Sequence, residues 1–140
     1  KMIKVEFAHS INFIDENDIF VGFDLRFQCC EDFGWYIKDN ESVEDLINQA
    51  ENSNQLDEED YLGWLFDLNY FKSDSFDTGN ITCADAVVFR LKKGDKSKYL
   101  FLFNIGNGMY AHDLFFGRSI NSYSTKQVEE NAICFHKGEV

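Results

Sequence analysis

Hydrophobic and polar residues alternate most regularly from Ile19 to Cys29, where Ile19, Val21, Phe23, Leu25, Phe27 and Cys29 interleave with Phe20, Gly22, Asp24, Arg26 and Gln28. A period of two sends the two sets to opposite faces, so the segment predicts a long half-buried strand. Residues 1–7 and 33–38 predict shorter strands, the second with Phe33, Trp35 and Ile37 on one face. At 43–51 the period changes. Ser42 and Asp45 stand at capping-box spacing, and Val43, Leu46, Ile47 and Ala50 follow at helical intervals, which predicts a helix near residues 43–51.

From Tyr61 to Phe71 two signals compete. Leu62, Trp64, Phe66, Leu68 and Tyr70 alternate as in a strand, whereas the acids Asp57-Glu58-Glu59-Asp60 just before them favour a helix start. The reading adopted is a short helical turn followed by a strand. Downstream, residues 86–91 and 99–104 are apolar runs flanking a Lys-rich loop, the pattern of a hairpin with a charged tip. Gly106-Asn107-Gly108 predicts a turn into another strand from Met109 to Phe116. Ser124 and Gln127 suit the start of a short helix, and Ile133 to His136 a last strand. The expected class is therefore α+β: a mainly antiparallel sheet, meander-like in its second half, with one moderate helix packed on one face.

Composition adds scale. A chain of 140 residues is expected to form one domain, 1–140, and 15 Phe, 6 Tyr and 2 Trp supply far more apolar area than an acidic disordered tail contains. The apolar runs are too short for a membrane span or a secretory signal, so a cytoplasmic protein is expected. Four cysteines in a chain this rich in core aromatics are expected to stay reduced and to act as small buried apolar residues.

Charge changes the picture most. The 33 residues between Lys38 and Lys72 contain no Lys, Arg or His and ten acids, so they hold −10 of the chain's net −12. Five of the 13 cations, Arg90, Lys92, Lys93, Lys96 and Lys98, cluster on the hairpin. A local negative field attracts basic partners and repels nucleic acid and anionic membrane. A run of acids is also the ordinary way to keep a Phe-rich surface solvated. The aromatics that follow it favour a binding role, because rings surrounded by charge supply affinity while the charge steers encounter.

Candidate chemistry is sparse. Cys29-Cys30, Cys83, Cys134, His112 and His136 are zinc-type ligands, but adjacent strand residues face opposite ways and no C-x-x-C or H-x-x-x-H spacing exists. A cysteine nucleophile with His112 as base meets the like charge of Glu31 and Asp32, which disfavours the thiolate. Carboxylate pairs are too numerous for any one of them to indicate glycosidase-type geometry. Neither Asp57–Asp60 nor Asp74–Gly79 matches a calcium loop, the latter having Phe76 at its third position and Asp85 at its twelfth. Ile105-Gly106-Asn107-Gly108 lacks the strand–loop–helix order of a phosphate cradle. Neither a metal nor a cofactor is expected.

Gln28-Cys29-Cys30-Glu31-Asp32-Phe33-Gly34-Trp35 and Phe103 to His112, with its Asn107-Gly108-Met109-Tyr110 turn, resemble an uncharacterised family of small bacterial and phage domains that pair a Cys-Cys-Glu segment with a later Asn-Gly-aromatic turn. The two motifs cover about a fifth of the chain, and Met109 stands where the family has an aromatic residue. The resemblance implies a β-rich fold and a microbial or phage setting, and no activity. It also implies a meeting of Cys30, Glu31, Asn107, Tyr110 and His112.

The reading that follows is an inhibitory or immunity-type protein that neutralises a basic protein, such as a toxin nuclease, by covering its cationic cleft. Glu41, Glu44, Asp45, Asp57, Glu58, Glu59 and Asp60 are the candidate phosphate mimics, and Tyr61 and Trp64 the candidate anchors. The alternative is a small enzyme or ligand-binding domain centred on Cys30, Glu31, Tyr110 and His112.

Overall fold

A computed structural model describes residues 3–7, 9–26, 32–51, 53–55, 61–77, 83–106, 111–119 and 132–140. The chain divides into two compact units, one from Lys1–Arg26, Asp57–Phe66 and His112–Glu139, the other from Phe27–Leu56, Asp67–Ala111 and Val140. Antiparallel β-sheet dominates, with a single short helix among the described residues. None of those residues forms a helix long and apolar enough to cross a membrane.

The first unit is built on a five-stranded sheet of β1 (Ile3–Phe7), β2 (Ser10–Ile14), β3 (Ile19–Asp24), β8 (Asp113–Ser119) and β9 (Ala132–Glu139), in that order. Strand β3 ends at Asp24, five residues before the end of the alternating pattern, and Ile19 to Phe23 are buried on both faces. Phe20 stacks on Phe115 at 5.3 Å beside Ile14, while Phe23 lies against the His112 ring. Alternation failed to predict this because a central strand with packed neighbours on both faces need not alternate in polarity. Strand β2 was not foreseen at all. Its period-2 signal extends over only five residues, yet Ile11, Asn12, Phe13 and Ile14 are all buried. The β8–β9 pairing shifts register between Phe116 and Gly117. A Cβ on Gly117 would lie 2.3 Å from the Ile133 carbonyl oxygen, so the bulge demands glycine there.

The second unit carries a four-stranded sheet in the order β4 (Asp32–Lys38), β7 (Lys96–Gly106), β6 (Cys83–Lys93) and β5 (Leu65–Asp77). The hairpin of β6 and β7 is longer than the apolar runs suggest. Its strands continue to the Lys93–Lys96 pair and close on a two-residue turn in which Gly94 takes φ 58°, a conformation that costs a residue with a Cβ. The expected meander holds for β5, β6 and β7. It ends there, because β8 joins the other sheet beside β3.

Helix α1 (Leu46–Ala50) covers one face of this sheet, as expected, but it spans five residues only. Leu46 and Ala50 pack with Tyr36, Ala84, Ala86, Val88, Tyr99, Phe101 and Phe103. The capping box does not form. Ser42 accepts the Glu44 N–H at 3.2 Å, and the Asp45 carboxylate is drawn to Lys38 and Gln49 instead of a helix N–H. The strand expected before Phe71 is present as β5, preceded by a single turn at Tyr61.

Candidate functional site

In the second unit the loop from Asp39 to Asp45 lies beside β5. Tyr70 joins the two: its hydroxyl donates to Glu41 at 3.3 Å, its ring meets Tyr99 edge-on, and the Arg90 guanidinium sits 4.7 Å above its face. Burial and the neighbouring Glu41 carboxylate push the Tyr70 phenol up to about 12, so it remains a donor at neutral pH. Arg90 also donates through Nε and Nη2 to one oxygen of Asp67, at 2.9 and 2.7 Å. The Asn69 N–H and then that guanidinium hold the Asp67 carboxyl below its ordinary value, against the effect of burial.

The acidic stretch is therefore not one uniform field. Asp67 is taken by Arg90, Asp39 lies 3.7 Å from Lys98, and Asp45 receives the Lys38 ammonium, which also donates to the Ser42 carbonyl. Burial pushes the Asp45 carboxyl up, and the hydrogen bonds from Lys38 and Gln49 more than offset it and leave the group lowered. The separation of an acidic face from a cationic hairpin is thus partly closed by ion pairs, two of them to hairpin cations. Asp45 belongs to the fold as much as to any surface. Glu41 and Glu44 remain exposed.

Next to Glu44 the surface sinks into an open depression of about 300 Å³ lined by Val43, Glu44, Asp74 and Ser75. Asp74 pairs with Lys72 at 3.2 Å, and the Ser75 hydroxyl donates to Asp85. Two carboxylates around a partly apolar hollow suit a long cationic side chain: its stem against Val43, its charge between the acids. Two apolar side chains of β5, Leu68 and Phe71, are exposed nearby in the chain, at 48% and 39%.

Tyr61 and Trp64, expected as surface anchors, are buried at 9% and 4% and turn their rings toward each other at 6.4 Å. That expectation is corrected: aromatics beside an acidic run are drawn into a core when one is within reach, because ring burial outweighs proximity in sequence to charge. Asp57, Glu58, Glu59 and Asp60 lie outside the described residues. So do Cys29, Cys30, Glu31, Asn107, Tyr110 and the segment with Ser124 and Gln127. Of the alternative site only His112 is described. It is buried at 1%, with Nδ1 2.9 Å from the Asp24 carbonyl oxygen, and so it offers no exposed edge to a substrate. Cys83 and Cys134 are unpaired and exposed, not the buried apolar residues expected. Among the described residues no three His, Cys, Asp or Glu side chains form a metal-holding group.

One buried acid escaped the sequence reading. Asp15, 2% exposed, accepts the N–H groups of Asn17, Ile19 and Phe66 at 2.8, 3.1 and 2.9 Å, and so ties the β2–β3 turn to Phe66. Burial pushes its carboxyl up further than the three N–H bonds pull it down, and the charge of Asp18 adds to the rise. The Asp15-Glu16-Asn17-Asp18 string between two apolar runs was its signal, that of a turn whose side chains bond their own backbone.

Comparison with family models, with curated proteins and with solved structures finds no match to this chain.

Proposed function

We propose that this chain is an acidic binding protein that neutralises a basic protein partner, in the manner of an inhibitor or immunity protein, by laying carboxylates over the partner's cationic cleft. The observation that carries the reading is exposed Glu44, set with Asp74 around an open hollow, together with exposed Glu41 in the same loop and exposed Leu68 on β5. Carboxylates of this kind raise the rate of encounter, and apolar side chains beside them hold the complex once formed. Tyr61 and Trp64 are set aside as anchors, and exposed Leu68 takes their place.

The test is the association rate with a panel of basic nucleases and toxins at 20 mM and 150 mM salt. The double substitution Glu41→Lys with Glu44→Lys is expected to slow binding about tenfold or more at low salt and less at high salt. A rate that does not change on charge reversal overturns the reading.

A further inference from the structure

The hairpin of β6 and β7 ends in a cationic tip. Residues 92–98 carry Lys92, Lys93, Lys96 and Lys98 against Asp95 alone, in a chain of formal charge −12. Lys93 and Lys96 form the last cross-strand pair before the Gly94-Asp95 turn, and both are exposed. Residues directly opposite in an antiparallel pair point to one face with Cβ atoms about 5 Å apart, and like charges so placed destabilise the pair. Neither ammonium group is offset within the chain. Among the described residues Lys93 and Lys96 make no ion pair, whereas Lys98 approaches Asp39 at 3.7 Å and the charge of Lys92 acts on Asp67. A Cβ on Gly94 would meet nothing within 4 Å, so the turn stands clear on that side.

This tip lies next to the acids that meet the partner, and all of them belong to the second unit. Arg90, two residues before Lys92 and on the same face of β6, sits over Tyr70, whose hydroxyl donates to Glu41. At about 3.4 Å per residue, Lys93 is about 10 Å along the strand from Arg90. On the facing strand, Lys98 approaches Asp39 at the start of the loop that carries Glu41 and Glu44. Exposed acids and unpaired lysines thus stand side by side. A uniformly basic partner is attracted by the first and repelled by the second, so the combination fits a partner of mixed charge.

We propose that the Lys93–Lys96 tip pairs with an acidic patch bordering the cationic cleft of the basic partner, and so fixes the direction in which the acidic loop approaches that cleft. This rests on the binding reading above and specifies the partner's charge pattern. Opposite charges matched at two places favour one docking orientation and penalise its reverse, whereas a single acidic face admits many. Lysine suits the role, being a hydrated point charge on a flexible stem that needs no fixed geometry.

The test uses the full chain and those members of the panel of basic nucleases and toxins that bind it, with association rates measured at 20 mM and 150 mM salt. Lys93→Gln with Lys96→Gln removes two positive charges and makes the chain more acidic. The general field then predicts faster association with any basic protein, whereas loss of a paired contact predicts slower association. Association at least threefold slower at 20 mM salt is expected, with a smaller change at 150 mM. Lys93→Glu with Lys96→Glu is expected to slow it further. An unchanged or faster rate overturns the proposal, and is the result if the tip only solvates the hairpin or covers the acidic loop of a second copy. The acidic binding face still stands in that case, provided that Glu41→Lys with Glu44→Lys slows association. If that reversal has no effect, or if no member of the panel binds, the functional reading falls and the role of the tip falls with it. The two Gln side chains relieve the like-charge pair, so a slower rate does not arise from a weakened hairpin.

Discussion

Asp15 shows how much a single side chain can organise when it replaces water for several backbone groups at once. Asp15→Ala leaves the N–H groups of Asn17, Ile19 and Phe66 without their acceptor, and a cost of about 2–4 kcal/mol in urea unfolding is expected at neutral pH. Asp15→Asn retains one acceptor oxygen, and the expected loss is smaller. The pH dependence separates charge from geometry. Burial first, and the charge of Asp18 last, raise the folded-state pKa of Asp15, so its contribution is fully present below the unfolded value near 4 and is lost as pH rises through the folded value. Wild type should therefore lose stability relative to Asp15→Asn between pH 4 and neutrality. Parallel curves for the two proteins would show that the carboxyl titrates alike in both states.

At the scale of elements, the Asn54 bonds to Trp35 on the outer edge of β4 and the short helix are the parts most sensitive to one added or removed group. A Cβ on Gly34 would lie 2.4 Å from Asn54 Oδ1, so Gly34→Ala must push away the side chain that plugs the edge at Trp35. A loss of about 1–2 kcal/mol is expected, with faster exchange of the Trp35 amide as the specific readout. Leu46→Ala empties the centre of the cluster between α1 and the sheet and is expected to cost about 2–4 kcal/mol. A five-residue helix has little stability of its own, and packing of Leu46 and Ala50 is what holds it. A strong fall in stability with β4 and β7 still protected from exchange would show that α1 is secured separately from the sheet.

For the molecule as a whole, net charge and paired acids act in opposite directions as pH falls. A formal charge of −12 implies self-repulsion at neutral pH, which eases as carboxylates take up protons. Asp67 and Asp45 have lowered folded-state values, so the stability they contribute is present above the unfolded value near 4 and is lost as pH falls through their folded values. Stability is expected to change gently from pH 7 to 5 and to drop below pH 4. Asp67→Asn should reduce the acid-side slope and lower stability at pH 7 by about 1–2 kcal/mol, since its pair with Arg90 is partly exposed. An unchanged acid-side slope in that variant would remove Asp67 from this account.

The division between what was readable from the chain and what was not follows the range of the forces concerned. Apolar runs at 86–91 and 99–104, the helical spacing around Leu46 and the alternation before Phe71 mark elements that exist, because side-chain period and local burial act over a few residues. Concentrated acidity between Lys38 and Lys72 was equally plain. Periodicity assigns faces, not neighbours. Whether β8 pairs with β7 or with β3, whether Asp45 caps a helix or receives Lys38, and whether Trp64 meets solvent or a core depend on groups distant in sequence. Asn54 on the edge of β4 and the hollow beside Glu44 arise in the same way. The sequence by itself determined a β-rich, acidic, aromatic-cored protein. Only tertiary structure decided which acids are paired and which stay exposed, because that is settled by competition among partners that the chain brings together only on folding.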